Sequence, residues 1–157
     1  MKKKVVFVLV STLCVLSMMC CALLVQGTVS RQKIVNYVNK NYKLLEAFPY
    51  EEMPTGAHEQ EGFIRSYLGD NTIVKSVDSR NENVLDFFCG GSGLSTGSTY
   101  TGFFYSRDDT PCALVFDGCS LEEIETGIYE WQNYNGTHKI RIERIRENWF
   151  YYFILYY

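Results

Sequence analysis

The chain has 157 residues with 15 Lys+Arg against 18 Asp+Glu, a formal charge of −3. Lys2, Lys3 and Lys4 supply three of the positive charges, so the remainder carries 12 against 18, or −6, with no basic stripe. That balance argues against a nucleic-acid partner, whose phosphates demand clustered Lys and Arg.

The first element is "VVFVLVSTLCVLSMMCCALLV", an uncharged run from Val5 to Val25 that follows three lysines. Its 21 residues, at about 1.5 Å each, match the roughly 30 Å hydrocarbon core of a bilayer. The lysines keep its start on the cytoplasmic side and send the remainder outward. The length favours a retained anchor over a cleaved signal peptide, whose apolar core is shorter, about 7–15 residues. Residues 1–27 therefore read as membrane anchor or signal segment, and residues 28–157 as one extracytoplasmic domain. Secretion after signal cleavage is the alternative location.

"SRQKIVNYVNKNYKLLEAF", residues 30–48, predicts an amphipathic helix capped by Ser30, with Ile34, Val38, Tyr42 and Leu45 on one face. "YEEMPTGAHEQEG" reads as a loop, and "FIRSYLG" as one or two helical turns ended by Gly69. From residue 72 the period becomes two. "TIVKSV", "NVLDFF", "YTGFFYS", "CALVF", "GIYEWQ", "HKIRIERI" and "WFYYFILYY" predict six or seven strands, with Asn135-Gly136 as a hairpin turn. Their short connections predict an antiparallel meander, and the fold class is α+β. "WFYYFILYY", apolar on both faces and too short to span a membrane, reads as a central buried strand.

The glycine-dense stretch "CGGSGLSTGSTYTGFFYS" reads as a long loop between two strands. Gly90, Gly91, Ser92, Ser95 and Thr96 are its candidate ligand-binding residues, because such loops display backbone donors and hydroxyls. The simpler reading is a flexible connection. "GLSTG" also fits a nucleophile elbow, and Ser95 with the acidic Asp108, Asp109 or Asp117 and then His138 follows a hydrolase order. An elbow must lead from strand to helix, whereas "STYTGFFYS" alternates like a strand, so no catalytic residue is assigned. The glycines match neither a P-loop nor a dinucleotide fingerprint.

"HEQE" gathers His58, Glu59 and Glu61 without a second histidine at zinc spacing, Asp78 lacks the calcium-loop pattern, and Glu122, Glu123 and Glu125 read as a solvated face. No metal or cofactor is expected. Arg141, Arg144 and Arg146 with Glu143 and Glu147 read as surface pairs across strands. Cys89, Cys112 and Cys119 allow at most one disulfide in an exported domain. A local Cys112–Cys119 bridge is disfavoured if "ALVF" is extended, and a bridge from Cys89 stays open.

"TIVKSV", "FCGGSGL", "STYTGFFYS", "DDTP" and "ENWFYY" together resemble a set of small exported proteins of Gram-positive bacteria. The resemblance covers about residues 70–157 and implies a bacterial cell-envelope setting. It brings no activity and no functional residue. The sequence thus predicts a membrane-anchored binding module for an unknown protein, glycan or small-molecule ligand. A small serine hydrolase using Ser95 and His138, and an envelope immunity or shielding protein, are the alternatives.

Overall fold

The computed structural model describes residues 28–94, 96–115 and 118–157. The apolar run at 5–25 lies outside them. Among the described residues no helix is long and apolar enough to cross a membrane.

Helix α1, Arg31–Glu46, starts where Ser30 accepts a bond from the Lys33 N–H at 3.4 Å. It buries Ile34, Val38 and Leu45, three of the four positions set by the periodicity. A short 3-10 turn, Tyr50–Glu52, follows. Helix α2, Ala57–Leu68, is longer than the sequence suggested, because the polar "AHEQEG" forms its first turns and not a loop. Gly69 ends it at φ 88°, a conformation other residues avoid.

The seven strands are β1 (Ser76–Asn81), β2 (Val84–Leu94), β3 (Thr96–Ser106), β4 (Glu122–Glu125), β5 (Ile128–Gln132), β6 (His138–Arg146) and β7 (Trp149–Tyr156). Every neighbouring pair is antiparallel. The order, β1-β2-β3-β7-β6-β5-β4, corrects the simple meander. After β3 the chain crosses to the far edge, and β7 returns to the centre. "CALVF" is not a strand over its described residues 112–115; it belongs to that crossover. Strand β1 begins at Ser76, four residues later than the apolar pattern, while Ile73 and Val74 lead into it buried.

Period-two alternation along β7 explains the two cores. Trp149 and Tyr151 point to the helix side, where they join Phe87, Cys89 and Phe103 with Ile34, Val38 and Ile64 from the helices. Phe150, Tyr152 and Ile154 point to the other side and meet Phe104, Ile140 and Ile142. Cys112, Ala113, Leu114 and Leu121 of the crossover cover that second core. A strand buried on both faces has to be apolar at every position, as "WFYYFIL" is.

Candidate functional site: a charged and aromatic groove

The two-residue connection Glu82-Asn83 folds β1 back on β2 and places Asp78 directly opposite Asp86. Two carboxylates so paired repel each other. Arg80, two residues beyond Asp78 and hence on its side of the sheet, resolves the conflict. Its Nη2 donates to Asp86 Oδ2 at 2.6 Å and its Nε donates to the same oxygen at 3.3 Å. Its Nη1 lies 3.3 Å from Asp78 Oδ2.

Asp86 is only 3% exposed. Burial raises its carboxyl above the usual range, and the Arg80 guanidinium offsets this only in part. Asp86 Oδ1 meets no donor in full hydrogen-bonding geometry, although the Tyr152 hydroxyl lies close enough to help hold the carboxyl down as a donor would. Burial, followed by the negative Asp86, pushes the Tyr152 phenol far above its ordinary value. Tyr152 is thus a neutral donor on this wall at any physiological pH.

Aromatic side chains continue the surface across the strands. Phe88 on β2 and Tyr100 on β3 have ring centroids 6.1 Å apart at 46°. Tyr100 and Tyr156 on β7 are 5.5 Å apart at 87°. Between these rings and the charged trio opens a groove of about 720 Å³, bordered by Val115 of the crossover. A neighbouring groove of about 860 Å³ runs under the crossover past Pro111, Cys112 and Cys119, and shares Arg80 with the first. The first is the better candidate, because charged and aromatic side chains from four strands converge on it.

The glycine stretch is not a loop. Gly90, Gly91 and Ser92 belong to β2 and pair with Thr101, Tyr100 and Thr99 of β3. The Ser92 and Thr99 hydroxyls share a hydrogen bond of 2.9 Å, and Thr101 donates to the Gly90 carbonyl at 3.2 Å. A Cβ at Gly91 would stand 2.6 Å from the Thr99 carbonyl oxygen, so glycine serves close backbone approach here. Thr96 pairs with Leu94 as β3 begins, and Ser95 lies outside the described residues. The hairpin nonetheless borders the groove through Gly93 and Ser98.

His138 opens β6 beside Tyr156, with ring centroids 5.1 Å apart. Its Nδ1 lies 2.9 Å from the Thr137 hydroxyl and 3.0 Å from Asn133 Nδ2, contacts that tie down the β5–β6 connection. Leu94 ends β2 and Thr96 opens β3, so the residues on either side of Ser95 belong to strands, whereas the elbow of an α/β-hydrolase leads from a strand into a helix.

His58, Glu59 and Glu61 lie on α2, where Glu61 pairs with Arg65 at 2.7 Å. Among the described residues no three His, Cys, Asp or Glu side chains converge as metal ligands. Glu122, Glu123 and Glu125 form the exposed edge strand β4. Arg141 bridges Glu130 and Glu143 at 2.8 Å each, Arg144 pairs with Asp109, and the Arg146 guanidinium sits 3.4 Å from the centre of the Tyr42 ring.

All three described cysteines are free. Cys89 is buried in the helix-side core and Cys112 packs on the opposite face, so the sheet stands between them. Cys112 and Cys119 share the wall of the larger groove.

Asp86, Arg80, Tyr100 and Tyr156 were not singled out by sequence reasoning. Their signal is a register: laying "SVDSRN" against "VLDFF" around a turn at 82–83 pairs Asp78 with Asp86 and brings Arg80 to both. Comparison with known family models, curated proteins and solved structures finds no match.

Proposed function

We propose that this chain is a membrane-anchored, extracytoplasmic binding module that acts without catalysis, and that the groove beside Arg80 is its ligand site. The observation behind this reading is the convergence of a fixed Asp–Arg–Asp trio with Phe88, Tyr100 and Tyr156 on one open cavity of about 720 Å³. Cavities of this size, mostly apolar with a few fixed polar groups, suit small ligands. The outward placement rests on the lysine-flanked apolar run at residues 5–25.

The test is a fragment panel of cationic, anionic and neutral compounds against the full chain in detergent micelles, read by ligand-observed saturation-transfer NMR. Hits that weaken in Tyr100→Ala are expected, since Tyr100 is 40% exposed on the groove wall. No hits, or hits indifferent to that substitution, would remove the groove as a binding site. Protease added to intact cells should digest the domain; protection until lysis would refute the outward placement.

A further inference from the structure

We infer that the groove selects a small ligand carrying a protonated amine, an inference that rests on the groove being the ligand site. Charge is the first argument. Asp78 and Asp86 against Arg80 leave the groove wall at −1, and among the described residues no other charged side chain lines it. All three Arg80 nitrogens already face carboxylates, so its positive charge is committed within the wall and not offered to an incoming anion. The Asp78 side chain, 57% exposed, carries the excess negative charge to the surface.

Unmet bonding capacity is the second argument. Asp86 Oδ1 is buried at the groove with the Tyr152 hydroxyl beside it but no N–H donor in bonding geometry, so this wall is short of N–H groups and not of acceptors. An alkylammonium head brings three donors and a positive charge. A divalent metal ion would instead need a third or fourth ligand, and no such set is gathered among the described residues.

The aromatic corner is the third. Phe88, Tyr100 and Tyr156 line the same groove and are turned 46° and 87° to their neighbours, so their faces are not parallel along its wall. A cation within about 6 Å of such faces is attracted to each ring's quadrupole. The alkyl stem of the ligand would lie on Ile154 and Val115, which also line the cavity. A cation is therefore met by rings on one side and by Asp78 on the other.

The probe is n-butylammonium, compared with 1-butanol and butyrate at pH 7, on the full chain in detergent micelles by saturation-transfer NMR. Butylammonium should saturate at least fivefold more strongly than butanol, and butyrate should give no signal. Asp78→Asn, at an exposed position that does not threaten folding, should weaken the ammonium at least threefold and leave butanol unchanged. In a second arm, Nα-acetyl-lysine methylamide that binds as well as butylammonium would show that the head group alone is read; tighter binding would assign the groove to a lysine side chain. Butanol binding as well as butylammonium, or an Asp78→Asn protein that binds both as before, would overturn the ammonium assignment while leaving a ligand site in place. Failure of every probe, together with an empty fragment panel, would overturn the site itself.

Discussion

Gly102 lies directly beneath the Tyr152 hydroxyl. The two residues pair across β3 and β7, and a Cβ at position 102 would stand 2.5 Å from that oxygen and 2.4 Å from the Phe87 carbonyl. Neither distance is tolerable, and the carbonyl belongs to a backbone that cannot rotate away. Gly102→Ala should therefore cost about 2–3 kcal/mol, as overpacking of a dense core does. Urea denaturation at neutral pH gives the value. A cost below about 0.5 kcal/mol would mean that Tyr152 and its neighbour strand yield more easily than this packing implies.

Asn148 holds the start of the crossover. It sits at φ 66°, donates its N–H to Asp109 Oδ1 at 2.7 Å and its Nδ2 to the Arg107 carbonyl at 3.0 Å, and accepts from the Ser106 N–H at 2.8 Å. Asn148→Ala keeps the backbone bonds but loses the amide and puts alanine, which tolerates left-handed backbone less well than asparagine, at φ 66°, so a loss of about 2 kcal/mol is expected. Asn148→Gly relieves the strain and should lose about half as much. Thermal melts of both variants rank them; equal losses would assign the whole effect to the side-chain bond.

Acid should weaken the fold through Glu143. Burial by itself would raise this carboxyl, but Arg141 and Arg31 outweigh it and hold it below the usual range. Because the folded value is depressed, the stabilisation is complete above the ordinary glutamate value of about 4.3 and is lost as pH falls through the folded one. Glu143→Gln should flatten the Tm-versus-pH curve on that acid limb. An unchanged slope would show that other carboxylates dominate it.

The thiols should separate by face. Cys89 is fully buried and burial pushes its thiol far up, so it should react with maleimide only on unfolding. Cys112 and Cys119 are half-buried at the groove and should label in the native state if reduced. Native labelling of Cys89, or a Cys89–Cys112 bridge found by peptide mapping, would contradict the two-core arrangement.

How much of this could be read from sequence depended on whether burial left a periodic trace. Helix α1 and strand β7 did, because each has to match a fixed apolar surface: Ile34, Val38 and Leu45 are buried on α1, and five of the six positions from Trp149 to Ile154 are buried on β7. Strand β4 did not, since "EEIE" is exposed at every position and is a strand only through its pairing with β5. The glycines of β2 misled in the opposite direction. Low strand propensity reads as a loop at Gly90 and Gly91, yet both pair with β3, and at Gly91 close approach to that strand is what makes glycine necessary. Cys112, Ala113 and Leu114 are apolar because they cover a core, which needs no regular backbone. The groove escaped notice because Asp78, Arg80 and Asp86 become a site only after two strands are laid in register.

The return of β7 to the centre sets the order of assembly. Strands β1–β3 form one local hairpin unit and β4–β6 another, and nothing but β7 joins them into a sheet. Its ladder to β3 links residues 44 positions apart at Tyr105↔Trp149 and 58 apart at Ser98↔Tyr156. Such closure is slow, because the entropy of the intervening chain is lost before contacts repay it. During synthesis the two halves must wait with their inner edges and both cores open until the strand that joins them has emerged. The protein therefore acquires its groove, which needs Tyr152 and Tyr156 of β7, in the same late step that makes it a single folded body.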